Sequence, residues 1–199
     1  IINECVPDYK DFIEVARSNN LKIITIGNSD AANWKFVIKN IHSKKQEIEV
    51  NFNKIKTIIF SDLIGEFQIN NLITSISILV EMGFKRQLIE NVIESLVSPP
   101  GRLELIVNKN DISIYIDFAH TPDALKNVLL SIRPHVKNKL YLVFGCGGDR
   151  DKGKRPLMGK IAYNYADEII ITDDNPRYED PESIRKKIIE TCPNSMEIA

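Results

Sequence analysis

Apolar and polar positions recur along this chain with two different periods, and the changes between them mark its elements. Asp8 to Ser18 has helical spacing, and LKIITIG (Leu21 to Gly27) reads as a short buried strand ending on a turn. Trp34 to Ile41, Glu47 to Phe52 and Thr57 to Phe60 alternate or cluster as strands do, with Asn and Lys turns between them. The period then lengthens. Leu72, Ile73, Ile76, Leu79 and Val80 lie on one face of a predicted helix that Gly83 stops. Leu88, Ile89, Val92, Ile93 and Leu96 repeat that pattern until SPPG (Ser98 to Gly101) interrupts it. This punctuation predicts a domain boundary, with one domain over residues 1–99 and another over 100–199.

The second half is more regular. ISIYID (Ile112 to Asp117), KLYLVF (Lys139 to Phe144) and EIIIT (Glu168 to Thr172) are predicted strands, each followed by a loop and a helix. The first helix has Thr121 as its N-cap, Pro122 at its first position, and a core stripe of Leu125, Val128, Leu129 and Ile132. The second carries Leu157, Met158, Ile161, Ala162 and Tyr165, and the third is capped by Asp180 and Pro181. The predicted fold class is α/β, with a mainly parallel sheet and right-handed crossovers. Ligands bind such sheets beyond the carboxyl ends of the strands. Three polar loops are expected to gather there: DFAHTPD (117–123), GCGGDRDKGKRP (145–156) and TDDNPRYEDP (172–181).

Composition narrows the function classes. The 199 residues include 26 Lys and Arg against 27 Asp and Glu, a formal charge of −1, which leaves no electrostatic footprint for nucleic acid or an anionic membrane. No apolar run approaches the ~18–20 residues of a membrane span, so no membrane insertion is expected. The opening IINECVPDYKDF has neither the basic nor the long apolar region of a signal peptide. Cys5, Cys146 and Cys192 are too few and too scattered for a disulfide framework or a zinc site. A reducing, cytoplasmic setting is therefore expected. The abrupt start without Met points to a piece of a longer chain.

The loops carry the candidate chemistry. The glycine loop could cradle a phosphate at a helix N-terminus, but it matches neither G-x-G-x-x-G nor a P-loop. Arg150, Lys152, Lys154 and Arg155 bring four positive charges to it, and a solvated turn with glycines chosen for positive φ is the plainer alternative. In TDDNPR, Pro176 stiffens the loop, Asn175 offers donors and acceptors, and Arg177 offers a fork for a carboxylate. Asp173 and Asp174 could attract an ammonium, which makes the loop a candidate amino-acid clamp; an Asx-turn with a surface Arg is the alternative. Asp117 could accept from ribose hydroxyls, and His120 could face a phosphate or be merely structural. His42 and His135 read as surface residues, and Cys146 as a small buried filler.

PGRLE (100–104), DFAHTPDAL (117–125), FGCGGDRDKGKRPLMG (144–159), TDDNPRYEDP (172–181) and GEFQINN (65–71) resemble the Mur ligase family of peptidoglycan synthesis, within it the branch that adds diaminopimelate. The resemblance implies the end of a central ATPase domain in residues 1–99. It implies the front of a Rossmann-like, amino-acid-binding C-terminal domain in 100–199. The implied activity is ATP-dependent addition of meso-2,6-diaminopimelate to UDP-MurNAc-L-Ala-D-Glu through an acyl phosphate, in cell-wall building that serves cell shape and division. By position, the resemblance places Asn71 near adenine, Arg102 and Asp117 at the nucleotide, and His120 near the phosphates as the catalytic candidate. It assigns Arg150, Asp174, Asn175, Pro176 and Arg177 to diaminopimelate. ATP and Mg²⁺ are the implied cofactors, with the P-loop and Mg²⁺ ligands expected upstream of residue 1 and no metal ligand within the chain. Gln68 stands where the family has Asn. On this reading the 199 residues alone are not expected to turn over. The rival expectations are a non-catalytic remnant that at most binds amino acid or nucleotide weakly, and an unrelated nucleotide-binding module.

Overall fold

The computed structural model describes residues 1–41 and 45–199; His42 lies outside them. The chain divides into two compact units, Ile1–Tyr115 and Ile116–Ala199.

The first unit contains β1 (Ile2–Asn3), α1 (Tyr9–Ser18), β2 (Thr25–Gly27), β3 (Trp34–Ile41), β4 (Gln46–Phe52), β5 (Ile55–Ser61), α2 (Glu66–Glu81), α3 (Arg86–Ile93), β6 (Glu104–Lys109) and nearly all of β7 (Ile112–Ile116). Five strands form one sheet in the order β1-β2-β3-β4-β5. The first two pairings are parallel and the last two antiparallel. The β4–β5 turn is made by Asn53 and Lys54, both at left-handed φ (52° and 64°), the geometry that follows strand twist. Alternation on β3 and β4 sends Trp34, Phe36, Ile48 and Val50 into a core closed by Ile69, Leu72, Ile73 and Ile76 of α2. Leu72, Ile73 and Ile76 of the predicted face are buried and Val80 packs against the core, whereas Leu79 is exposed. Fully burying a side chain such as Ile73 contributes about 1.5–3 kcal/mol. By contrast α1, though amphipathic, buries none of its side chains. LKIITIG is a strand only over its last three residues.

The second unit contains α4 (Pro122–Ile132), a 3-10 turn at Arg133–His135, β8 (Tyr141–Phe144), α5 (Lys154–Tyr165), β9 (Glu168–Thr172), α6 (Pro181–Ile189) and β10 (Met196–Ile198). Its sheet has the order β10-β9-β8 and is parallel throughout. One predicted strand is placed differently from expectation. Ile112–Ile116 pairs with β6 in a separate two-stranded sheet, and β10 completes the parallel one. The cause is local: Asn110 and Asp111 both take left-handed φ (54° and 60°), so a two-residue turn folds β7 back on β6.

Both predicted caps form. The Thr121 hydroxyl accepts from the Ala124 N–H at 3.3 Å, and the Asp180 carboxylate from the Ser183 N–H at 3.0 Å, each followed by Pro at the first helical position. The stripe of α5 is rotated from the predicted one. Its buried face is Arg155, Met158, Gly159 and Ala162, at i, i+3, i+4 and i+7, while Leu157 is 54% exposed. A hydrophobic pattern cannot register a face built on an arginine and a glycine. No helix among the described residues is long and apolar enough to cross a membrane.

Candidate functional site

Because β8 and β9 are adjacent and parallel, the loops that follow them leave the sheet side by side. Residues 145–153 and 173–180 then interlock. The Gly148 N–H donates to the Asn175 carbonyl at 2.9 Å, and Arg177 Nη1 donates to the Gly148 carbonyl at 2.7 Å. The Tyr178 N–H donates to Asp149 Oδ2 at 3.1 Å, and the Asp149 N–H to Glu179 Oε1 at 2.6 Å. Asn175 Oδ1 accepts from the Arg177 N–H at 3.2 Å, the Asx-turn expected of that residue, and Arg177 sits at φ 51°.

The glycines have a different purpose from either one read in the sequence. None of Gly145, Gly147 and Gly148 lies at positive φ, and the space beside them is filled by protein. A Cβ on Gly148 would overlap the Pro176 carbonyl oxygen, and one on Gly145 the Thr172 carbonyl oxygen. A Cβ on Gly147 would stand 2.9 Å from Arg177 Nη1 and 3.7 Å from Asp174 Oδ2. The bare backbone thus lets the second loop close down on the first. A guanidinium and a carboxylate then converge over Gly147.

Few of the four positive charges of the glycine loop are available to an anion. Arg155 is 2% exposed and grips Glu179 with two bonds, Nη1 to Oε2 at 3.0 Å and Nη2 to Oε1 at 2.8 Å. Lys152 pairs with the same carboxylate at 3.2 Å, and Lys154 Nζ donates to the His120 carbonyl at 2.8 Å. The Arg155 guanidinium, the Asp149 N–H and Lys152 together hold the Glu179 carboxyl down to about 2. Arg150 is exposed and has no hydrogen-bond or ion-pair partner among the described residues. Asp173 is also taken: its carboxylate pairs with Arg185, itself 7% exposed, so the expected pair of acids reduces to Asp174. Asp174 is exposed and has no hydrogen-bond or ion-pair partner among the described residues. Cys146 is 3% exposed with its sulfur 3.7 Å from that of Met158, and burial pushes its thiol up, which fits a filler and not a nucleophile.

The loop after β7 carries short-range bonds between its own residues. Asp117 Oδ1 accepts from the Ala119 N–H at 2.8 Å, and His120 Nδ1 meets the Phe118 carbonyl at 3.0 Å. A carbonyl only accepts, so Nδ1 is the donor, on an exposed ring. Lys154, through its bond to the His120 carbonyl, is the described link from this loop to α5.

Asn71 and Arg102 belong to the first unit. Asn71 is exposed on α2, its carbonyl accepting from Ser75 Oγ at 2.9 Å. Arg102 is also exposed, and its carbonyl accepts from Gln68 Nε2 at 3.1 Å. Gln68 is buried and donates as well to Ser98 Oγ at 3.0 Å, so it ties α2 to the segment around SPPG. Sequence reasoning missed the roles of Glu179 and Asp149, whose partners lie 24 to 30 residues away. No group of three or more His, Cys, Asp or Glu side chains able to hold a metal ion occurs among the described residues.

Comparison with known proteins adds the ancestry of this arrangement. The Mur ligase middle domain matches residues 1–79, and the Mur ligase, glutamate ligase domain matches residues 101–198. A UDP-N-acetylmuramoyl-L-alanyl-D-glutamate–2,6-diaminopimelate ligase of Mesorhizobium japonicum is 40% identical over 188 residues, covering 94% of this chain. The enzyme of the same name from Rickettsia typhi is 41% identical over 192 residues, covering 95%. The chain spans 38% of the length of each of these relatives. A solved structure of a ligase of that name superposes with a TM-score of 0.65 at 32% identity, covering 98% of this chain and 42% of that one. A folylpolyglutamate synthase from Thermotoga maritima gives 0.73 at 20% identity over 95% of this chain and 44% of its own, a likeness of fold alone.

Proposed function

The chain belongs to the Mur ligase family, and from that premise we propose that it forms the amino-acid side of an ATP-dependent ligase joining meso-2,6-diaminopimelate to UDP-MurNAc-L-Ala-D-Glu. The observation that carries the reading is the convergence of Arg177 and Asp174 over Gly147. A zwitterionic amino-acid centre presents one carboxylate and one ammonium, and this pair offers one partner to each. Diaminopimelate has such a centre at both ends, whereas the far end of lysine has only the ammonium. Asn175, fixed by its turn to the Arg177 N–H, and the exposed Arg150 complete the polar surface. Pro176 keeps the loop stiff, so less order is lost on binding.

His120 is assigned to the phosphate side. Its exposed ring stands on a loop to whose carbonyl the cation of Lys154 is anchored, a setting that suits an anionic group, and Asp117 and Arg102 are assigned to the nucleotide with Asn71 at the base. ATP, when bound, supplies activation of the dipeptide carboxylate. This chain's residues supply position and charge. The chain is assigned no Mg²⁺ ligand, and its setting is assigned to the cytoplasm. Since it spans 38% of its relatives' length, the assignment covers amino-acid recognition and part of the nucleotide contacts, not the whole catalytic cycle. The proposed domain boundary at 99/100 lies between the two matched segments. Replacing Arg177→Ala in the natural gene tests the reading. Cells are expected to accumulate the UDP-MurNAc-dipeptide; unaltered nucleotide pools would contradict it.

A further inference from the structure

We propose that Glu179, gripped by Arg155, is the positioning residue that shapes the diaminopimelate-binding surface, acting through Asp149 and Arg177 without touching the amino acid. The inference rests on the reading above and adds a residue pair outside the set 150 and 174–177. Glu179 collects four donors: two from Arg155 at 2.8 and 3.0 Å, the Asp149 N–H at 2.6 Å and Lys152 at 3.2 Å. Asp149 in turn receives the Tyr178 N–H at 3.1 Å, next in sequence to Arg177. The Glu179 N–H returns to the Pro176 carbonyl at 3.0 Å, which closes residues 176–179 into a turn.

Two residues in this circuit adopt a backbone that side chains disfavour. Asp149 lies at φ 49° and Arg177 at φ 51°, left-handed values that persist in non-glycine residues when their surroundings hold them. Bonds within the circuit hold both: Asp149 through its N–H and carboxylate, Arg177 through its N–H and guanidinium. Arg155 also occupies a core-facing position of α5, on the face of Met158 and Ala162, where an apolar residue would pack. A buried ion pair is seldom more stabilising than an apolar pair of the same volume. What the pair adds here is geometry: it fixes Glu179, and Glu179 fixes the backbone on which the Arg177 fork stands.

The test separates geometry from stability. The double variant Arg155→Met with Glu179→Leu keeps the volume and removes the bonds, while Glu179→Gln keeps the shape and removes the charge. Amide hydrogen exchange at Gly148, Asp149 and Tyr178 and affinity for meso-diaminopimelate are measured on each, beside thermal unfolding. The expected result is unfolding near wild type, exchange at these three amides at least about tenfold faster, and affinity at least about tenfold lower. Glu179→Gln, which still accepts one bond from Arg155, is expected to fall between. Exchange and affinity within twofold of wild type, in whichever variant folds, would overturn the proposal. The exchange measurement needs no ligand. A wild-type chain that binds no diaminopimelate, yet shows the exchange contrast, would overturn the amino-acid reading and leave the clasp in place.

Discussion

The loops after β8 and β9 and the loop after β7 are equally polar in sequence but are held in different ways. The first two are fastened to each other, by Gly148 to Asn175, Arg177 to Gly148, Tyr178 to Asp149 and Asp149 to Glu179, with Arg155 buried beneath. In the third, bonds between near neighbours shape the backbone, Asp117 to Ala119 and His120 to Phe118, and Lys154 reaches it from α5. An amino acid must be told from its analogues by fixed geometry, which the interlocked pair supplies. The proposed phosphate role depends more on charge than on shape, and Lys154, anchored on the His120 carbonyl, brings that charge to the loop.

The largest expected effect comes from wedging the interlocked pair apart. Gly148→Ala would place a methyl on the Pro176 carbonyl, and since backbone cannot yield as a side chain does, a cost of about 3 kcal/mol is expected. Thermal unfolding should fall by more than about 10 °C for a unit of this size. If Gly148→Ala unfolds like wild type, the loops are not interlocked in solution. Next comes Arg177→Ala, expected to lower affinity for meso-diaminopimelate about 10- to 100-fold by calorimetry, with a fall in thermal unfolding of only a few degrees from the lost bond to the Gly148 carbonyl. Thr121→Ala probes the other loop. Loss of its cap bond to Ala124 should cost about 1 kcal/mol, with diaminopimelate affinity unmoved, and a drop in affinity would erase the contrast between the regions.

Acid gives the smallest and most selective effect. The Glu179 carboxyl is held down to about 2 in the folded chain, against an ordinary value of 4.5. A depressed carboxyl contributes its stability fully above about pH 4.5. That contribution declines as pH falls from 4.5 towards 2, because the unfolded chain takes up a proton that the folded one refuses. The Asp149 amide signal, whose N–H donates to the Glu179 carboxylate, should therefore keep its position down to about pH 3 and move only near pH 2. Movement centred near pH 4.5 would show that Arg155 does not hold Glu179.

What was legible in the sequence follows the reach of each interaction. The caps at Thr121 and Asp180 were legible because each side chain bonds an N–H three residues on. So were β9, over its full length, and most of the core face of α2, Leu79 excepted, since alternation and helical spacing are local. The neighbourhood of the two interlocked loops was legible from parallel β-α order. Their contacts were not. Arg155 read as a free cation and Asp173 as a free anion, because the partners Glu179 and Arg185 come near only through the tertiary fold. The reason for the glycines was hidden in the same way: close approach by the Pro176 carbonyl to Gly148, and by the Arg177 guanidinium to Gly147, leaves no mark in the sequence. The partner of β7 was missed because β6, paired with it in a two-stranded sheet, is largely exposed and carries no buried alternation.

The central claim, that the interlocked loops select diaminopimelate, is tested most directly by a two-dimensional amide NMR titration of the chain, a method that also registers weak binding. With meso-diaminopimelate, the signals of Gly147, Gly148, Asn175, Arg177 and Tyr178 should move together and saturate, L-lysine should leave them in place, and Arg177→Ala should abolish the response. Equal shifts with both amino acids, or shifts confined to other residues, would contradict the account.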